Sequence, residues 1–159
     1  MRISSFSILV VALLASACSP KQSTDDTDDV MTALVIENLG RGHSGSLTDT
    51  TEAVYRTPAQ WRPVAETLSP LEPFPEFDTT QYMVLLAAIP TPSGGFQVQF
   101  ESVEATEEEL IATYELSVPG HDCLTITALS VAFQAVAVPR YDLPVRFERE
   151  ERYYSCSTR

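Results

Sequence analysis

Tyr82-Met83-Val84-Leu85-Leu86-Ala87-Ala88-Ile89 is a nearly continuous apolar run, and its reading decides the fold. A strand with one wet face alternates apolar and polar residues, so an unbroken run of this length is expected of a central strand covered on both faces. Downstream the pattern changes to period two. Phe96, Val98 and Phe100 alternate with Gln97, Gln99 and Glu101, and then Leu110, Ala112, Tyr114, Leu116 and Val118 alternate with mostly polar neighbours. These are the marks of half-buried strands. Residues 90–95 are expected to form a turn, residues 106–109 a charged hairpin tip, and Pro119, Gly120, His121 and Asp122 the next turn. Residues 124–128 and 133–138 are β-prone, with Pro139 as a stop, and residues 145–154 are expected to form a last strand.

Upstream of the run, residues 33–36 are β-prone and lead into a polar loop carrying Gly40, Gly42 and Gly45; a second short strand is expected at residues 53–55. One helix is expected from Pro58 to Leu68. Thr57 supplies a capping hydroxyl, Pro58 suits the first helical position, and Gln60 stands where a capping box wants it. Trp61, Val64 and Leu68 then share one face. Pro63 opposes the helix by removing a backbone hydrogen bond, and Pro70, Pro73 and Pro75 force an extended exit. The fold class expected is α+β, predominantly β, an antiparallel sandwich-like sheet with one helix packed on it.

The chain has 159 residues, a formal net charge of −12 and 44% apolar content, with 20% of residues charged. That excludes a basic nucleic-acid binder, a wholly disordered chain and a collagen-like one. The charge is uneven: residues 22–139 carry 18 acidic and 3 basic side chains, whereas residues 140–159 carry 5 basic and 4 acidic. A solvated hairpin with interspersed charge is the plain reading of that tail.

Met1 and Arg2 precede an apolar stretch over residues 6–17, the charged and apolar regions of a signal peptide occupying residues 1–17. This stretch is shorter than the roughly 20 apolar residues that span a bilayer. Leu14, Ala15, Ser16, Ala17 and Cys18 resemble the lipobox of bacterial lipoproteins, with Leu one place earlier than is usual. The resemblance implies acylation of Cys18, palmitate among the chains, and attachment to the membrane through the lipid. Ser19 stands where an Asp would signal inner-membrane retention, which implies the outer membrane of a two-membrane bacterium. Residues 18–30, with four aspartates, read as the lipidated cysteine and an acidic tether. Residues 31–159 are then a single globular domain, large enough to hold one core without a metal.

With Cys18 assigned to lipid, Cys123 and Cys156 are an even pair in an oxidising compartment, and a disulfide between them is expected, two free thiols being the rival. Closing that loop constrains the unfolded chain by roughly 3 to 4 kcal/mol in the chain-entropy model.

A search for chemistry gives little. Gly42-His43-Ser44-Gly45-Ser46 approaches a nucleophile elbow but lacks its last glycine and a following helix. A serine hydrolase using Ser44, with His121 as base, is therefore a remote alternative. Two histidines are too few for a zinc site, and Glu107, Glu108 and Glu109 on a hairpin tip have no burial to separate their acidities. No catalytic residue, metal or cofactor is expected.

Ser93, Gly94, Gly95, Phe96, Val98, Phe100, Ser102, Val103 and Glu104, followed by Pro119, Gly120, Cys123, Thr127, Ala128, Leu129 and Phe133, resemble the C-terminal domain of the PrcB family, lipoproteins named for a protease complex. Ser44 and Gly45, residues 58–61, and Phe77 with Asp78 also look like the region that precedes this domain, so the resemblance covers most of residues 34–138. Ser130 to Ala132 and the tail with Cys156 depart from it. The resemblance implies a non-catalytic, β-rich module that assembles with or stabilises another envelope or secreted protein, in the named case a protease. A small-ligand-binding or protease-inhibitor module is the alternative. Within it, Gly94 and Gly95 read as turn glycines, Trp61 as core, and Asp78 as a turn acceptor.

Overall fold

The structure, a computed structural model, describes residues 31–43, 45–68 and 74–157. Eight strands and one helix follow in the order β1 (Thr32–Ala33), β2 (Glu37–Gly42), β3 (Thr51–Tyr55), α1 (Pro58–Leu68), β4 (Tyr82–Thr91), β5 (Gln97–Ala105), β6 (Leu110–Pro119), β7 (Ser130–Pro139) and β8 (Val145–Tyr154). They form two four-stranded sheets, ordered β1-β5-β6-β8 and β2-β7-β4-β3. The fold is α+β and predominantly β, two packed sheets with a single helix.

The apolar run lies in β4, which sits inside its sheet and pairs with β7 over ten residues, from Tyr82 opposite Pro139 to Thr91 opposite Ser130. Its two faces serve two cores. Met83, Leu85, Ala87 and Ile89 pack with Ala132, Val136 and Val138 against Val98, Phe100, Leu110, Tyr114 and Leu116 of the facing sheet. Val84, Leu86 and Ala88 pack with Val131, Phe133, Ala135 and Ala137 against Trp61 and Leu68 of α1. The molecule is therefore three layers: sheet, sheet, helix.

Helix α1 has the bounds its sequence pattern predicts. Thr57 Oγ1 accepts from the Gln60 N–H at 3.3 Å, while Gln60 Oε1 accepts from the Arg56 N–H at 3.1 Å, one residue earlier than in the usual reciprocal box. Pro63 is accommodated inside the helix, and the Thr67 hydroxyl donates to its carbonyl at 2.9 Å.

Several expectations are corrected. Residues 37–42 form β2 rather than a loop; its glycines serve aromatic packing, because a Cβ on Gly40 would stand 2.6 Å from the Phe74 ring. Residues 34–36 leave the strand after Ala33. Pro90 and Thr91 continue β4 instead of starting the turn. Residues 124–128 form no strand. Strand β8 has the expected bounds but runs parallel to β6, where an antiparallel sheet was expected. The long connection through β7 returns the chain to the first sheet in the same direction as β6.

Polar links cross the interior as well. Gln134 of β7, 7% exposed, accepts the Phe100 N–H at 2.5 Å and donates to Asn38 Oδ1 at 2.9 Å. Its acceptor meets β5 at the bulge between Phe100 and Ser102, where a strand otherwise risks an unpaired amide. Replacing it leaves that buried N–H without an acceptor, so Gln134→Ala should lower stability by about 1 to 3 kcal/mol, read as a reduced urea midpoint with unchanged slope.

Candidate functional site

Residues 120–129 connect β6 to β7 and carry an exposed apolar row: Leu124 is 103%, Ile126 78% and Leu129 91% exposed. Core placement is not what holds this loop. Cys123 and Cys156 are joined in a disulfide that spans 33 residues of sequence, tying the loop's start to the chain beyond β8. The Gly120 N–H donates to the Tyr154 carbonyl at 2.8 Å, the Cys123 N–H to the Gly120 carbonyl at 3.0 Å, and the Ala128 N–H to the Ile126 carbonyl at 3.0 Å.

The Gly94–Gly95 turn closes the loop from the other side. The Gly94 N–H donates to the Ile126 carbonyl at 2.9 Å, and the Tyr154 hydroxyl donates to the Gly95 carbonyl at 2.8 Å. Gly95 has φ +93°, and a Cβ there would stand 3.0 Å from Thr125 and 3.1 Å from the Tyr154 hydroxyl, so only glycine fits without strain.

Asp122 completes the clamp. Its carboxylate accepts from the Ser155 hydroxyl at 2.6 Å and the Ser157 N–H at 2.7 Å. The Ser155 hydroxyl first, then Ser157, hold the carboxyl well below the usual range. Asp78 behaves alike in the turn before β4, where it accepts from the Thr80 N–H at 2.8 Å, the Thr80 hydroxyl at 2.7 Å and Gln81 Nε2 at 2.9 Å, and its pKa is likewise lowered.

A second concavity lies on the opposite layer. A half-open groove of about 670 Å³ runs between α1 and residues 74–79, with Trp61, Phe74 and Phe77 beneath Arg62, Glu66 and Glu76. Trp61 is 6% exposed and meets Phe74 edge-on at 5.0 Å between ring centres. The only tryptophan of the chain thus forms part of the core and of the groove wall.

Cys18 and Ser44 lie outside the described residues. His43 and His121 are exposed, on a bend after β2 and in the turn after β6. Glu109 pairs with Arg146 at 3.0 Å, holding that guanidinium's pKa up with help from Glu148, and Glu107 and Glu108 face solvent. Tyr114 is fully buried, its hydroxyl donating to Glu52 at 2.5 Å; burial, and then the carboxylate, push its pKa far up. Among the described residues no three His, Cys, Asp or Glu side chains cluster as metal ligands, and no helix is long and apolar enough to cross a membrane.

The apolar loop is the feature sequence reading missed, because Leu124 and Ile126 lie in the β-prone stretch 124–128 and look like core residues of a strand. The sharp signal was positional: they stand between a disulfide-forming cysteine and the true strand at Ser130.

A carboxyl whose folded pKa is depressed stabilises in full above its unfolded value near 4 and loses that contribution as pH falls below it. Hydrogen exchange at Ser157 should therefore be slowed at neutral pH and speed up, beyond the intrinsic pH trend, as pH drops through about 3. In Asp122→Asn the protection should already be reduced at pH 7 and change little with acid.

The chain matches no family model, no characterised protein and no solved structure at a level that establishes kinship.

Proposed function

We propose that this chain is a bacterial envelope lipoprotein, anchored through Cys18 to the outer membrane, that binds and stabilises another secreted or envelope protein without catalysing a reaction itself. The observation that carries this reading is the apolar row Leu124, Ile126 and Leu129, held in the open by a disulfide and backbone hydrogen bonds. Large apolar side chains kept exposed on one hydrogen-bonded loop are the mark of a protein-binding surface. Preorganisation of this kind removes much of the ordering cost of association.

Position supports the same reading. The described chain enters through β1, paired with Glu104 and Ala105 beside the 106–109 hairpin, whereas the loop follows Pro119 at the far end of β6. The two ends are about 30 Å apart for strands of this length, so a tether at one end presents the apolar row away from the membrane. The resemblance to the PrcB family adds a secreted protease as the first partner class to examine.

The groove beside α1 supports a second reading, a small-ligand module: its aromatic floor and charged rim are what a compact amphipathic molecule requires. Binding there would change the fluorescence of Trp61, which reports on no other site.

Cross-linking intact cells that carry the tagged chain should recover one recurrent secreted or envelope protein by mass spectrometry, and the Leu124→Asp, Ile126→Asp, Leu129→Asp triple variant should lose at least tenfold of it while keeping its thermal midpoint, since none of these side chains is buried. Recovery of the chain only, or recovery untouched by the triple variant, overturns the proposal. So does labelling by a fluorophosphonate that Ser44→Ala abolishes.

A further inference from the structure

Of the four edge strands, three are short: β1 has 2 residues and covers only Glu104 and Ala105 of β5, β3 has 5 and β2 has 6 with a register shift. The fourth, β8, is ten residues long and has no strand neighbour on its outer side among the described residues. Such an edge displays free N–H and C=O groups in a row and pairs readily with another strand.

The hydrogen-bond pattern says which groups are free. Leu110 N–H donates to the Pro144 carbonyl at 2.9 Å and Gly120 N–H to the Tyr154 carbonyl at 2.8 Å, and between these points the β6–β8 register runs without a shift. Alternate residues of a parallel strand aim their backbone groups at opposite neighbours. Even-numbered residues of β8 therefore face β6, and Val145, Phe147, Arg149, Glu151 and Tyr153 turn their amides and carbonyls outward.

A second strand pairing antiparallel with this edge must oppose its own outward residues to these. For a second copy of β8, odd residues must then face odd residues, which leaves few registers. Centring on Arg149 sets Arg against Arg and Glu148 against Glu150; centring on Glu151 pairs Glu150 with Arg152 but sets Glu151 against itself and leaves Arg149 facing Tyr153. Centring on Glu150 sets Arg149 against Glu151, Glu148 against Arg152 and Phe147 against Tyr153, each twice by symmetry. The sequence from Phe147 to Tyr153 is thus self-complementary in charge and in aromatic ends in this register, which gives more opposite-sign pairs than a register centred on Glu148, Arg149, Glu151 or Arg152 and leaves one like-charge pair, Glu150 with itself.

Space is available as well. Phe147 packs on the core, but Arg149, Glu151 and Tyr153, on the same face of β8, are exposed. Arg149 and Glu151 already lie 3.3 Å apart within the strand and keep opposite-sign partners when a second copy supplies their counterparts. We propose that two copies of this chain associate through β8, antiparallel about Glu150, joining their outer sheets into one continuous eight-stranded sheet with the symmetric interface of a two-fold dimer. This inference does not rest on the binding role of the 124–129 loop.

Sedimentation equilibrium of the purified full chain tests it. A concentration-dependent dimer is expected. Glu151→Pro removes an outward amide and leaves the β6 ladder intact; it should weaken the dimer at least tenfold while keeping the near-ultraviolet dichroism of the parent. Glu150→Gln removes the like-charge pair and should tighten the dimer about two- to fivefold.

Register is read by cysteines under mild oxidation, against the parent chain as background. Glu150→Cys should cross-link to its own copy, whereas Glu148→Cys, four residues out of register with itself, should stay about 14 Å apart and remain free. A chain that is monomeric at several hundred micromolar, a dimer indifferent to Glu151→Pro, or equal cross-linking at both positions overturns the proposal. A monomer that instead captures a foreign strand at β8 overturns it too, because the occupant would then not be a second copy.

Discussion

The ten-residue ladder between β4 and β7 is the constraint on which the rest of the structure depends. Every residue of Met83 to Ile89 and of Val131 to Val138 is buried, so neither face of this pair can be left to water. Each buried aliphatic side chain contributes about 1.5 to 3 kcal/mol, and that gain exists only if both faces are covered. One face obliges the β5–β6 hairpin to fold over it, and the other obliges α1, Phe74 and Phe77 to form a third layer. The small residues Ala87, Ala88, Ala132, Ala135 and Ala137 bring the layers close, and Trp61, Phe74, Phe133, Phe100 and Tyr114 fill what remains.

How much of this was legible depended on what each residue's environment rewards. The run at 82–89, the alternation in β5 and β6 and the capped helix at Thr57 were readable because local pattern and tertiary burial agree there. They disagree in β2, where Gly40 and Gly42 look like turn residues but are kept free of side chains so that Phe74 and Phe133 can lie across the strand. They disagree again at Leu124 and Ile126, whose alternation imitates a half-buried strand. Local sequence carries no information on whether a facing layer exists at that point. Strand β8 was found by its pattern, but its parallel direction follows from a connection through another sheet, which no local pattern encodes. Of the candidate sites, the turn glycines, Trp61 and Asp78 could be placed from sequence; the loop as a surface, and the groove beside α1, could not.

The 124–129 loop must be held without burial. Its apolar side chains gain nothing on folding, being as exposed as in an extended chain, so the order of the loop rests on backbone hydrogen bonds and a covalent link. Bonds from Gly94, Gly120, Cys123 and Ala128 fix its path, and the disulfide lowers the entropy of the open alternatives. Asp122 then locks the residues after β8 against the same loop. This division of labour leaves the side chains at the tip free of any structural duty. A surface made this way can vary in sequence without cost to the fold, which suits recognition.

Electrostatics decides which edges of such a body can meet a like body. The chain carries −12 overall, so two copies repel, and the repulsion is weakest where each presents its least charged surface. Strand β8 adds no net charge to that repulsion, since its three arginines, Arg146, Arg149 and Arg152, balance Glu148, Glu150 and Glu151. Interspersed charge of this kind ordinarily blunts an exposed edge by making an arbitrary strand a poor match. The same pattern, arranged as a near-palindrome, discriminates rather than excludes: a slipped register loses opposite-sign pairs, and the register about Glu150 keeps the most of them. Beyond a Debye length of about 8 Å the repulsion between the two acidic bodies is screened at physiological salt, while the cross-strand contacts lie well within it. Long-range charge thus sets a modest barrier to approach, and the order of charges along one strand selects what may stay.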